Sequence, residues 1–189
     1  MKKLRKLAAI LVVGSLALTS LTGCGTAADK SGQENKSSIE AIKQRGTIKI
    51  GVFSDKAPFG YVDSNGENQG FDVFIAKRFA KDLLGDESKA EFVLVDAASR
   101  VAYLESNKVD MIMANFTVTD DRKEKVDFAN PYMKVSLGIV SPESAPIKSA
   151  DELKGKKIIV AKGTTAETFM TENYPDVELV KYEQYSEIF

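Results

Sequence analysis

The sequence predicts an α/β fold in which most strands are parallel. Short runs rich in β-branched residues alternate with helical patterns from about residue 38 onward, and capping and turn signals separate them. The composition, 43% hydrophobic and 28% charged, is that of a globular protein. Strands that alternate with helices favour parallel sheets, because each helix returns the chain to the same edge of the sheet.

Three strands, a hairpin and four helices are predicted in the first part of the chain. A capping box from Ser37 to Glu40 opens the first helix. The Asn65-Gly66 pair predicts the hairpin turn. We expect Asp72 to cap the longest helix and Gly85 to end it. The predicted strands are 47–53, 91–95 and 109–114, the hairpin spans 59–71, and the helices span 37–46, 72–84, 98–105 and 120–125.

A second, shorter run of elements follows. A capping box begins at Ser149, and residues 163–167 cap a helix that runs to about residue 173. The last residues resemble the first turn of a helix capped by Ser186. We therefore expect an unfinished second unit in a truncated chain. The predicted strands are 137–140, 157–161 and 177–181, and the two units are 38–136 and 137–189.

The N-terminus has the sequence pattern of an export signal. Residues 1–23 combine a basic start with an apolar stretch that is short for a membrane span. The segment Leu21-Thr22-Gly23-Cys24 resembles a bacterial lipobox, in which Cys24 receives a diacylglycerol and becomes the new N-terminus. An ordinary secretory signal with a chance cysteine is the alternative. Residues 24–37 are polar and predict a flexible tether.

Composition also excludes several functions. The chain has no histidine and one cysteine, which excludes a Ser-His-Asp triad, a His-ligated metal site and a disulfide within the chain. The 26 basic residues are balanced by 27 acidic ones, which argues against a nucleic-acid-binding surface. No nucleophile has a base to activate it. From the residues we therefore expect no catalytic pair, no cofactor and no metal.

Two segments are candidate anion sites. Residues 115–122 follow a strand and lead into a short helix, where backbone N–H groups, the Thr117 hydroxyl and Arg122 suit an anion. The alternative is that Thr119 is only a helix cap and Arg122 pairs with a nearby acid. Residues 163–167 offer a second helix N-terminus, although a capping box alone explains them.

Two further cations are weaker candidates. Arg100 lies near the start of a predicted helix, where a positive charge opposes the helix dipole and so indicates an outside partner. Lys56 follows the first strand, and from the residues alone we expect it to be solvated.

An ordered set of motifs carries a family resemblance. The chain resembles the family 3 extracellular solute-binding proteins, the receptors of polar amino-acid ABC importers, over roughly residues 38–189. The motifs are Thr47-Ile48-Lys49-Ile50-Gly51-Val52, Ala57-Pro58-Phe59-Gly60-Tyr61, Gly70-Phe71-Asp72-Val73, Val109-Asp110-Met111-Ile112-Met113-Ala114, Thr117-Val118-Thr119-Asp120-Asp121-Arg122, Val126-Asp127-Phe128-Ala129-Asn130-Pro131-Tyr132, Leu153-Lys154-Gly155-Lys156-Lys157 and Gly163-Thr164-Thr165.

The resemblance implies a two-lobe fold of the type II periplasmic-binding-protein kind. Residues 38–136 would be lobe one without its C-terminal return segment, and residues 137–189 would be part of lobe two. In the family, Arg122 matches the arginine that grips the ligand carboxylate, and Thr117 and Thr165 match hydroxyl positions that support it. Asn115 matches a position lining the ligand. The lobes would close about a hinge near residues 133–138.

The resemblance also implies a ligand and partners. Arg100 and Lys56 occupy positions where added positive charge favours an acidic side chain, so we expect glutamate or aspartate, with cysteine or another polar amino acid as the alternative. The receptor would be an exported monomer, lipid-anchored to the outer face of the cytoplasmic membrane or periplasmic, and would deliver its ligand to an ABC permease. A sensor module of a signalling protein and a dehydratase are alternatives of another class on the same fold.

One expected part of the pocket is missing from the sequence. The family holds the ligand ammonium with an Asp of lobe two well beyond the Gly-Thr-Thr motif, and no such position occurs before Phe189. We therefore expect residues 24–189 to bind glutamate weakly or not at all. Isothermal titration tests this, and a micromolar dissociation constant would contradict it.

Overall fold

A computed structural model describes residues 38–188. The predicted signal segment, Cys24 and the tether therefore lie outside the described residues. Within residues 38–188, no helix has the length and apolarity that a membrane span requires. We call the described residues up to 136 the first lobe and those from 137 on the second lobe, following the predicted division.

The first lobe is built around a three-stranded parallel sheet in which Ile48–Val52 is the central strand, between Ala90–Leu94 and Met111–Ile112. The predicted parallel arrangement is confirmed here. The elements of this lobe are α1 (Ser38–Arg45), β1 (Ile48–Val52), β2 (Asp55–Lys56), β3 (Gly60–Val62), β4 (Asn68–Gln69), α2 (Phe71–Leu84), β5 (Ala90–Leu94), α3 (Arg100–Glu105), β6 (Met111–Ile112) and α4 (Asp120–Lys123), with a 3-10 turn at Glu87–Lys89.

The core of this lobe lies between β1 and α2. The central strand contributes Ile48, Ile50 and Val52, which are all nearly inaccessible to solvent. Val73, Ala76 and Ala80 face them from α2, at the three- and four-residue spacing that places side chains on one face of a helix. Helix α2 therefore holds the C-terminal end of β1 in place, and the candidate site begins there.

Helix α2 begins differently from the prediction. Gly70 is its N-cap and no side chain caps it, so the prediction that Asp72 caps this helix is wrong. Asp72 is instead fully buried in the first turn of the helix. The predicted end is confirmed, since Gly85 adopts the left-handed conformation as the C-cap.

The described second lobe is a single strand-helix-strand unit. Its two strands pair in parallel, and one helix connects them. Leu153, Met170 and Val177 form a small core beneath the helix. The elements are a 3-10 turn at Ala150–Leu153, β7 (Lys157–Ala161), α5 (Thr165–Asn173), β8 (Glu178–Tyr182) and a 3-10 turn at Tyr185–Glu187.

Residues 137–140 do not form the predicted strand. The segment has no regular structure, and Val140 is 86% exposed. A strand needs a neighbour for its backbone N–H and C=O groups. Among the described residues, β7 and β8 pair only with each other. The apolar pattern of the segment was therefore not sufficient for a strand.

Gly70 is a sensitive position for the stability of the first lobe. Its φ of 115° is in a region that glycine alone adopts readily, and an added Cβ would overlap the Phe59 carbonyl and lie 2.9 Å from the Pro58 oxygen. We expect Gly70→Ala to lower the free energy of unfolding by about 3 kcal/mol. Urea denaturation followed by circular dichroism measures this.

Gly66→Ala is the matched control. Gly66 also has a positive φ, of 83°, but no atom lies within 4 Å of an added Cβ. Gly66→Ala should therefore lower the free energy of unfolding by only about 1 kcal/mol, because only the backbone conformation is unfavourable. Equal losses in the two variants would contradict the crowding expected at Gly70.

Candidate ligand-binding site

A cleft of about 980 Å³ lies between the two lobes. All the side chains that the sequence analysis selected as ligand contacts line it, so the structure brings these distant positions together. That they bind a ligand stays a prediction. From the first lobe they are Lys56, Arg100, Asn115, Thr117 and Arg122, and from the second lobe Thr165.

Arg122 lies on α4, whose N-cap is Thr119, as the alternative interpretation of this segment expected. Its guanidinium is half-buried and donates from Nη1 to the Thr117 carbonyl at 2.7 Å and from Nη2 to the Gly163 carbonyl at 3.0 Å. Burial lowers the pKa of Arg122. Within residues 38–188 it forms no ion pair, so the expected alternative, a surface pair with a nearby acid, is not found. Its fork binds only neutral oxygens and can still receive an anion.

Arg100 is held more firmly. It is 3% exposed, and its Nε donates to the Ala97 carbonyl at 2.9 Å. Nη1 donates to the carbonyls of Ala114 and Asn115, at 3.0 and 3.3 Å, and Nη2 to that of Gly163 at 3.0 Å. Four of its five N–H groups are thus engaged with backbone oxygens. Burial, and then the charge of Arg122, lower its pKa to about 10.

Gly163 connects the lobes. Its carbonyl accepts from both Arg100 and Arg122, and its N–H donates to the Glu167 carboxylate at 2.7 Å. Thr164 caps α5 by accepting from the Glu167 N–H at 3.2 Å. The N-cap half of the capping box that the sequence offered as an alternative is therefore present, but the Glu167 carboxylate accepts from Gly163 rather than from the N-cap Thr164. The same loop also meets the first lobe.

The close approach of the two lobes at Gly163 depends on the absence of a side chain at this position. Gly163 has a φ of 70°, and a Cβ would lie 2.8 Å from the Ala98 backbone nitrogen. Backbone atoms cannot move away as a flexible side chain can. Any other residue would therefore push the lobes apart at this contact.

Asp72 positions Asn115, a role that sequence reasoning missed. Asn115 has a φ of 46°, and its N–H donates to the Asp72 carboxylate at 2.9 Å. The other oxygen of this carboxylate accepts from the Tyr132 hydroxyl at 2.8 Å. Burial and the charge of Asp72 raise the pKa of Tyr132. The buried carboxylate thus fixes the cleft wall at Asn115. The only signal in the sequence was an acid beside the apolar face of α2.

Lys56 is not solvated, so that prediction from the residues alone is wrong. Its Nζ donates to the Asn115 side-chain oxygen and to the Tyr185 hydroxyl, both at 2.9 Å, and lies 4.1 Å from the Tyr185 ring centroid. Burial, with the neighbouring charge of Arg100, lowers the pKa of Lys56 to about 8.

Tyr185 is a cleft residue that sequence reasoning did not select. Its ring packs edge-on against Phe53 with the centroids 5.5 Å apart. Gln184 rather than Ser186 caps the 3-10 turn that carries it, so the prediction of Ser186 as a cap is wrong. The Ser186 N–H instead donates to the Asp55 carboxylate at 3.1 Å. The end of the second lobe therefore contacts the first lobe directly.

Two α/β lobes with basic side chains in the cleft between them are typical of a class of solute-binding proteins. The chain belongs to the bacterial extracellular solute-binding proteins, family 3, whose model matches residues 48–180. The predicted type II periplasmic-binding-protein-like fold is confirmed, and the chain covers part of it.

Relatives support this membership. The glutamine-binding protein GlnH of a Bacillus subtilis ABC transporter is 36% identical over 191 aligned positions, covering 100% of this chain and 70% of the relative. Two solved structures have a higher sequence identity to this chain over the residues that align. The solute receptor for L-cysteine of Neisseria gonorrhoeae is 59% identical, with a TM-score of 0.77, over 79% of this chain and 61% of that structure. The cysteine-binding protein of Campylobacter jejuni is 55% identical, with a TM-score of 0.78, over 79% and 60%.

The lowered pKa of Lys56 can be measured directly. We expect an NMR pH titration of the lysine ε-carbons to show one resonance with a midpoint near 8, which is absent from Lys56→Arg. The folded pKa lies below the unfolded value of about 10.4, so the unfolded state binds more protons in between. Stability from this group therefore rises with pH across that interval. A midpoint above 10 for Lys56 would contradict its burial against Tyr185.

Proposed function

We propose that this protein is the receptor of an ABC importer that captures a polar amino acid and delivers it to a membrane permease. The half-buried Arg122 fork carries the proposal, because it faces the cleft beside the N-terminus of α5 from the other lobe. Guanidinium groups bind carboxylates in bidentate pairs, and helix N-termini add unpaired N–H donors. Every free amino acid offers the carboxylate that such a site requires.

Arg122 can take the carboxylate without losing its position. The bond to Thr117 is within its own lobe and can remain, whereas the Gly163 carbonyl is a neutral acceptor that an anion outcompetes. Thr165 would then approach the same carboxylate from the first turn of α5. Ligand contacts from both lobes favour closure of the cleft, which excludes water around the bound amino acid.

The surroundings of Arg100 and Lys56 favour a different ligand side chain from the acidic one expected from the sequence. The expectation of an acidic side chain depended on positive charge from Arg100 and Lys56. Arg100 is 3% exposed and has one N–H group left, so of these two cations only Lys56 can reach a ligand side chain. We therefore propose cysteine, or a polar amino acid of similar size, in place of glutamate or aspartate. Solved relatives that are 59% and 55% identical are named for cysteine, which supports this choice.

The family is extracellular, so the protein acts outside the cytoplasm. We further propose that Cys24 carries the lipid anchor and that the receptor works as a monomer. A tether over residues 24–37 would let the loaded lobes reach the permease while the lipid stays in the membrane.

Arg122→Ala tests the carboxylate site in the complete gene product. We expect its affinity for the bound amino acid to fall at least about 100-fold, which corresponds to about 2.7 kcal/mol. Isothermal titration with cysteine, glutamate and glutamine under reducing conditions measures the loss and identifies the preferred ligand. Arg122→Lys should recover only part of the affinity, because an ammonium lacks the planar fork.

Arg78→Ala is the control for this experiment. Arg78 is an exposed arginine on α2 and does not line the cleft. Its replacement removes the same charge and should leave affinity unchanged. Wild-type affinity in Arg122→Ala would refute the carboxylate role of Arg122, and a wild-type protein that binds no amino acid would refute the proposed function.

A further inference from the structure

Tyr185 brings a side chain of the second lobe to a wall of the cleft that the first lobe otherwise forms. Its hydroxyl accepts from Lys56 at 2.9 Å, and its ring lies edge-on against Phe53, which is 1% exposed. The Asp55 carboxylate accepts from the backbone of the next residue, Ser186. Hydrogen bonds from the first lobe therefore hold both Tyr185 and Ser186, and the tyrosine occupies a defined place in the cleft.

The charges around this wall determine which part of an amino acid faces it. The carboxylate belongs with Arg122 and the N-terminus of α5. The ligand ammonium is repelled by Lys56, which bonds to Tyr185, and by Arg100 nearby. The remaining group, the ligand side chain, is thus the part that can lie against Tyr185.

We propose that Tyr185 is a specificity-determining residue that, together with Lys56, closes the side-chain end of the cleft and limits the ligand to a short polar side chain. This inference rests on the proposed function, since it concerns the same amino-acid site. A short side chain fits inside the wall and can approach the Tyr185 hydroxyl or the Lys56 ammonium. A longer one directed at this wall would displace the ring from Phe53 and break the Lys56 bond.

The turn that carries Tyr185 resists such a displacement. Its capping box joins the Gln184 N–H to the Glu187 carboxylate at 2.9 Å, so the backbone around the tyrosine is tied at both ends. The Lys56 ammonium also bonds to Asn115, whose backbone is fixed by the buried Asp72. Movement of the ring would therefore disturb contacts in both lobes.

Tyr185→Ala in the complete gene product tests the proposal. Isothermal titration with cysteine, serine, glutamine and arginine gives the ratio of affinities for short and long side chains. We expect this ratio to fall at least about 10-fold, which is the discrimination a pocket achieves for one or more methylene groups. Tyr185→Phe keeps the ring and should keep the ratio within about 3-fold of wild type, while losing the bond from Lys56.

Two further variants make the outcome decisive. Tyr182→Ala removes a tyrosine of the same lobe that does not line the cleft, and its ratio should stay at the wild-type value. Tyr185→Leu keeps an apolar contact with Phe53 if the alanine variant does not fold, and should shift the ratio in the same direction. An unchanged ratio in a folded Tyr185→Ala or Tyr185→Leu protein that still binds cysteine overturns this proposal alone. A wild-type protein that binds none of the four amino acids overturns the proposed function, and this inference with it.

Discussion

The geometry of the cleft depends on one backbone carbonyl, that of Gly163, which accepts hydrogen bonds from Arg100 and Arg122 at 3.0 Å each. Two guanidinium groups at one oxygen repel each other, and the charge of Arg122 adds to the larger effect of burial in lowering the pKa of Arg100. The Phe116 ring offsets part of this repulsion, because its centroid lies 4.6 Å from both guanidinium carbons. Glycine alone permits the contact, since a Cβ would meet the Ala98 backbone. The two lobes are thus joined by a polar contact that an anion can rearrange.

The buried Asp72 gives the first lobe a preformed half of the site. Its two carboxylate oxygens accept from the Asn115 N–H and the Tyr132 hydroxyl, so it connects the cleft wall to the segment that leads out of the first lobe. The left-handed conformation of Asn115 aims its side chain at Lys56. Removal of this carboxylate would leave two donors without their buried acceptor, which is why a single acid in the first turn of α2 shapes the cleft.

Local signals in the sequence predicted local structure well. The strand at Lys157–Ala161 and the C-terminus of α2 follow from periodicity and capping, which act within a few residues. Residues 137–140 carry the pattern of a strand but lack a paired neighbour among the described residues, and no local pattern supplies one. The contact between Lys56 and Tyr185 joins positions 129 residues apart, so no spacing in the sequence could indicate that this lysine is buried. Placement after a strand or at a helix start already made Arg122 and residues 163–167 candidates, and the family resemblance added the expected role of each in a ligand site.

The unequal surroundings of the two arginines favour different roles for them in the proposed binding site. Arg100 is 3% exposed and has four bonds to carbonyls in both lobes, so a ligand could reach it only by breaking several of them. Arg122 is half-buried with two such bonds, and only the one to Gly163 crosses the cleft. A carboxylate that replaces Gly163 at Arg122 would leave the bond from Arg100 to Gly163 intact. The lobes would then remain joined while the ligand binds, so that Arg100 maintains the interface and Arg122 exchanges its acceptor.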